Sequence, residues 1–165
     1  MKDLLHLYTK YNHWANKQLC LKISEIGNEL LDKPVKNSFP SLRKTVYHIW
    51  DAEAIWLERL LGMSATDWPS NHFKGDFIEA QDLMLKMSER FVDYIATNDE
   101  EFLMSEFSYK GLGGQDYKNK RYLSIMHCMN HSTFHRGQLI TILREFDVPD
   151  LPGTDLIIYI RENNL

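Results

Sequence analysis

Cysteine is scarce in this chain: Cys20 and Cys128 are the only two, and they form no CxxC pair. That excludes a zinc ribbon and a thioredoxin-type redox site. Both lie inside apolar helical patterns, where free buried thiols are expected. No apolar run approaches the ~20 residues a membrane-spanning helix needs. The opening stretch MKDLLHLYTKYNHW lacks the apolar core of a secretory signal, so a soluble cytoplasmic protein is expected. A basic excess is missing too. The formal net charge is −4, and lysines and arginines are scattered among acids. The short run KNKR at 118–121 reads as a solvated turn beside a helix start, so no nucleic-acid partner is expected. There is no P-loop and no GxGxxG, and GLGGQD at 111–116 is only a glycine-rich turn.

What is present is ordinary globular composition, 44% hydrophobic and 25% charged, over 165 residues. That length fits one domain, 1–165, and buries enough surface for a core without disulfides. Apolar residues recur at three- and four-residue spacing over 3–26, with Gly27 as a stop. KPVKNSFP at 33–40, with two prolines, is a loop. Ser41 is placed to cap a second helix over 42–61, ended by Gly62, and 62–75 is another polar loop. Asp76 can cap a third helix over 77–97. The segment 98–121 alternates loosely around GLGG, which suggests a short β-hairpin over one end of the molecule. The fourth helix covers 122–146, closed off by Pro149 and Pro152, and a short last turn begins at Thr154. Four helices of about 20 residues joined by loops give an all-α four-helix bundle.

Helix four carries His127, His131 and His135, each four residues after the last. A step of four advances about 40° around a helix, so the three span about 80° of one face. Two imidazoles four residues apart can reach one metal ion, with Zn–N distances of about 2.0–2.1 Å. Three cannot, because His127 and His135 are about 12 Å apart along the axis. Helix two supplies His48, and helices two and four can be neighbours in a bundle. The expected metal ligands are therefore His48, His131 and His135. His127, Gln138, Asp51 and Trp56 are left as pocket residues or as contacts that steady the ligands. Three histidines leave coordination positions open, which suits a catalytic site better than a closed structural one.

Other helical metal motifs fail on inspection. No glutamate stands three residues before a histidine, as the ExxH of di-iron bundles requires. Ser132 follows His131 where an HExxH metalloprotease needs glutamate. Imidazole ligands suit zinc, nickel, copper and iron alike, with zinc or nickel expected here.

Several blocks occur together: YNHWANKQL at 11–19, SLRKTVYHIWDAEAIWLERL at 41–60, NHSTFHRGQL at 130–139 and TDLIIYIRE at 154–162. In this order they resemble the DinB-like, damage-inducible family of small bacterial bundle proteins, which is unrelated to the translesion polymerase of similar name. The resemblance spans the chain and is weakest over 62–121. It implies an up-down-down-up four-helix bundle, a divalent metal on His48, His131 and His135, and a homodimer paired through helices. Family members of known activity include bacillithiol- and mycothiol-dependent S-transferases and a related isomerase.

Two jobs suit such an ion. It can make a hydroxide nucleophile from water, or hold a thiol as thiolate. The first gives a hydrolase. The second gives an S-transferase joining a low-molecular-weight thiol to a small electrophile, and the resemblance favours it. A metal-binding stress-response protein without turnover, and a structural bundle with core histidines, stay open as alternatives. Pairing has its own support in the sequence: Tyr122, Ile125, Met126, Met129, Ile140 and Leu143 make helix four apolar away from its histidines. Helix two repeats this with Val46, Trp50, Leu57 and Leu61. The competing explanation is cover by the hairpin or the C-terminal segment.

Overall fold

The computed structural model describes residues 1–63, 65 and 67–165. Four long helices build it: α1 (Lys2–Ser24), α3 (Leu42–Leu60), α4 (Phe77–Thr97) and α6 (Arg121–Glu145). Shorter elements fill the connections: α2 (Asn28–Leu31), a 3-10 turn (Pro69–Asn71), α5 (Glu100–Met104), the strands β1 (Glu106–Lys110) and β2 (Asp116–Lys120), and a C-terminal α7 (Leu156–Glu162). Helices α1 and α3 each pack against both α4 and α6. The four therefore form a ring in which consecutive α1 and α3 lie across the diagonal.

Two apolar clusters fix the helix directions. One gathers the end of α1 (Leu19, Ile23), the starts of α3 (Leu42, Val46) and α4 (Phe77, Met84), and the end of α6 (Leu139, Leu143). The other gathers the start of α1 (Leu5), the ends of α3 (Leu57, Leu60) and α4 (Phe91, Ile95), and the start of α6 (Ile125, Met129). Helices α1 and α6 thus run one way and α3 and α4 the other, which is up-down-down-up. Because α3 and α4 are parallel, the 61–76 connection must return along the bundle. That return brings Trp68 and Ser70 alongside α3.

The helix ends follow local chemistry. Ser41 Oγ accepts the Lys44 N–H at 3.3 Å, as its capping position requires. Asp76 and Glu79 form a reciprocal capping box on α4. Gly62, at φ +78, ends α3, and the Met63 N–H closes back on the Glu58 carbonyl at 2.9 Å. The first helix departs from the sequence reading. It stops at Ser24, and Gly27 is not its terminator but the N-cap of α2. The hairpin is present, with Glu106 opposite Lys120 and Lys110 opposite Asp116. Its turn uses Gly114 at φ +85. The sequence reading missed α5, which Asp99 caps by accepting the Phe102 N–H at 2.8 Å.

The hairpin answers part of the apolar surplus. Phe107 of the hairpin and Leu103 of α5 join the cluster that holds Ile125 and Met129, while Val46, Trp50 and Leu57 lie in the core. Leu123, Met126 and Phe134 stay exposed along α6. Cys20 and Cys128 are free and buried. Among the described residues no helix is long and apolar enough to cross a membrane.

Candidate metal centre

Between the two apolar clusters lies a polar layer. Each helix stripe that faces it is apolar at both ends and polar in the middle: Asn12 and Asn16 on α1, Glu53 on α3, Ser132 and Arg136 on α6, all fully or nearly fully buried. Glu53 Oε1 accepts from Asn12 Nδ2 (2.8 Å), Asn16 Nδ2 (3.0 Å) and Ser132 Oγ (2.8 Å). Arg136 Nη1 donates to Asn12 Oδ1 and, at 2.9 Å, to Asn16 Oδ1, and its Nη2 donates to Thr133 Oγ1 at 2.8 Å. Glu53 and Arg136 are therefore bridged by two amides. Burial pushes the Glu53 carboxyl above its ordinary range, opposed by the three donors and by Arg136. Ser132 directly follows His131, and Arg136 directly follows His135. The layer thereby pins the rotation of α6 at the two residues beside its ligand candidates.

On the outer side of that pinned segment, the rings of His48, His131 and His135 converge. His48 Nε2 is 3.0 Å from His131 Nε2, and His135 Nε2 is 3.1 Å from it. One nitrogen from each ring lies within 4.8 Å of the other two. His135 Nδ1–H donates to Gln138 Oε1 at 2.7 Å, while Gln138 Nε2 donates to Ser38 Oγ at 2.7 Å. That fixes the amide and leaves His135 Nε2 as a bare lone pair. Phe39 stacks on His48 at 4.1 Å between centroids and meets His135 edge-on at 5.6 Å. Trp68 stands 5.9 Å from the His48 ring.

This donor set fits a divalent cation. Without one, a proton on His131 Nε2 can satisfy only one of its two neighbours, leaving nitrogen lone pairs facing one another. Ligands about 2.0–2.1 Å from a tetrahedral ion stand roughly 3.3 Å apart, close to the spacings seen here. The environment of the rings also favours the neutral form that can ligate an ion. Burial, and then the charge of His135, lowers His48 from 6.5 to about 4. Burial, followed by His135, His48 and His127, lowers His131 to about 4 as well. Burial lowers His135 too, against its bond to Gln138.

A pH dependence follows for the metal-free protein. The unfolded chain takes up protons at His48 and His131 from 6.5 downward, whereas the folded chain resists until about 4. Stability is therefore full above pH 6.5 and is lost as pH falls through 4. The melting temperature should drop across that window more steeply than in a His48→Asn/His131→Asn variant. Parallel curves for the two proteins would refute the assignment.

The remaining expectations fall as follows. His127 lies outside the converging set. Its ring is 5.1 Å from Trp56 and 6.2 Å from His131, on the wall of an adjoining cavity. Asp51 borders a second cavity beside His48, and its two oxygens accept the Ser70 N–H (2.8 Å) and Oγ–H (2.6 Å). It anchors the segment that carries Trp68. Phe39, Trp68, Ser38 and the whole polar layer escaped the sequence reading. A usable signal existed for the layer: Glu53 interrupts the stripe Val46, Ile49, Leu57, Leu60, where a carboxylate has no place without partners.

Comparison with known proteins gives the chain and its fold relatives. A family model, the DinB family, matches residues 1–161. Protein DinB of Bacillus subtilis (strain 168) is 25% identical over 167 aligned positions, covering 97% of this chain and 95% of that one. The crystal structure of a DinB-like protein from Bacillus subtilis superposes with a TM-score of 0.68 at 18% identity, covering 92% of this chain and 97% of that one. YfiT from Bacillus subtilis, described as a probable metal-dependent hydrolase with an unusual four-helix bundle topology, gives a TM-score of 0.63 at 12% identity. It covers 88% of this chain and 87% of that one.

Proposed function

The chain belongs to the DinB family, and from that premise we propose a metal-dependent enzyme that transfers a low-molecular-weight thiol to a small electrophile. His48, His131 and His135 hold its divalent ion, zinc or nickel. The observation that carries this reading is the convergence of three neutral imidazole nitrogens, two of them about 3 Å from the third. Three ligands leave positions open for a reactant. When bound, the ion would keep a thiol as thiolate at neutral pH. The protein's own groups do the rest. Gln138 orients His135, Phe39 and Trp68 shield His48 from water, and Asp51 holds the Trp68 segment in place. His127 and Trp56 wall the space next to His131.

Hydrolysis is the second reading, supported by the description of YfiT and by the same open positions. A homodimer is part of the proposal, since Leu123, Met126 and Phe134 stand exposed on the outer side of α6. The test is to load untagged protein with zinc or nickel. It is then offered bacillithiol or cysteine with a bimane or dinitrophenyl electrophile, alongside ester and amide substrates. A thioether that needs the metal and disappears in His131→Ala supports transfer. Metal-dependent hydrolysis alone moves the assignment to the second reading, and no metal-dependent product defeats both.

A further inference from the structure

Beside His127 lies a cavity of about 310 Å³ lined by Trp56, Tyr109, Asn119, Leu123, Ser124 and His127. Among the described residues no acidic side chain lines it. Arg59 stands against its two aromatic walls, with the guanidinium carbon 4.8 Å from the Trp56 centroid and 5.1 Å from that of Tyr109. Arg59 is 8% exposed, and its Nε is buried with no partner. Among the described residues it makes no hydrogen bond and no ion pair. Ser124, 2% exposed, likewise has an unpartnered Oγ. The cavity also borders the first turn of α6, whose N-cap Lys120 supplies no side-chain acceptor.

These features share one sign. A buried guanidinium N–H without a partner, here at Arg59 Nε, is costly. The ring faces of Trp56 and Tyr109 offset part of that cost but accept none of its in-plane N–H bonds. The N–H groups of the first turn of α6 beyond Arg121, whose own N–H donates to the Ser105 carbonyl at 3.0 Å, add positive potential beside the cavity. An anion entering the cavity would meet Ser124 Oγ and the first turn of α6 directly, with the Arg59 charge standing against the Trp56 and Tyr109 rings that wall it. The aromatic walls favour a planar, partly apolar ligand over inorganic phosphate.

We propose that this cavity receives the carboxylate-bearing part of the reactant, with Arg59 as the charge that selects it. Calling that ligand a reactant rests on the metal-dependent reaction proposed above; the preference for a carboxylate does not. His127, between the cavity and His131, then separates the anionic end from the reacting end.

The test uses the full metal-loaded chain labelled with nitrogen-15, in which the indole N–H signal lost in Trp56→Phe reports on the cavity. Benzoate and benzyl alcohol are titrated as probes of equal shape and different charge. Benzoate should move the Trp56 signal saturably and bind about tenfold more tightly than the alcohol, an electrostatic preference of ordinary size. Arg59→Gln should erase the preference and Arg59→Lys should keep it. The preference should also survive in His131→Ala. Equal affinities in the unaltered protein overturn the inference, whether or not the variants fold. So does a preference that persists in Arg59→Gln, or one that vanishes in His131→Ala, since the metal centre would then be the carboxylate's seat. Unaltered protein that binds no metal but keeps the preference defeats the proposed reaction and leaves this inference standing.

Discussion

Replacing His131 by alanine is expected to lower the bound divalent metal from about one ion per chain to near zero. His131 is the member of the triad whose Nε2 lies within about 3 Å of both others. Removing it leaves His48 and His135 without their shared neighbour, and two imidazoles on separate helices hold an ion poorly. The loss should exceed the 10- to 100-fold typical of disturbing a residue that only supports a ligand. His127→Ala, four residues away on the same helix, is expected to leave the metal content unchanged, because that ring lies outside the converging set. Elemental analysis of untagged, dialysed protein measures both. Equal metal in the unaltered protein and His131→Ala would remove the triad from consideration, and loss in His127→Ala would redraw it.

The contrast between those two histidines shows which part of the site could be read from sequence. Four-residue spacing and helical rise are local geometry, so they separate His127 from the pair His131 and His135 without any tertiary information. Pairing with His48 needed only that α3 and α6 be neighbours. The four long helices were legible because their periodicity is long and their caps at Ser41 and Asp76 are local. The short elements were not. Helix α5 is five residues long, too short to show a period. Gly27 can stop one helix or start the next, and the sequence does not say which. The flanking of the triad by Phe39 and Trp68 depends on where two connecting segments land: Phe39 follows from the diagonal crossing between α1 and α3, and Trp68 from the return that the parallel run of α3 and α4 requires.

The polar layer leads to the second large effect. Glu53→Ala is expected to destabilise the fold by on the order of 3–5 kcal/mol, the usual cost of removing one partner from a buried charged network. Against a total stability of about 5–15 kcal/mol, that leaves a protein close to unfolding. Three donors, from Asn12, Asn16 and Ser132, lose their acceptor at once, and Arg136 stays buried without its anion. Truncating Leu57 on the same stripe provides the comparison, since a core leucine costs about 2–5 kcal/mol through its cavity alone. The two causes separate in a double variant. Glu53→Ala with Arg136→Met removes the orphaned cation as well as the carboxylate. If the stranded charge dominates, urea unfolding should show the double variant more stable than Glu53→Ala. If packing dominates, the second change should add its own cost. Recovered stability need not restore the metal centre. Arg136 and Ser132 sit directly after the two ligand candidates of α6, so a stabilised double variant should still bind metal more weakly than the unaltered protein. Metal affinity equal to that of the unaltered protein would mean that the layer supports the fold and nothing more.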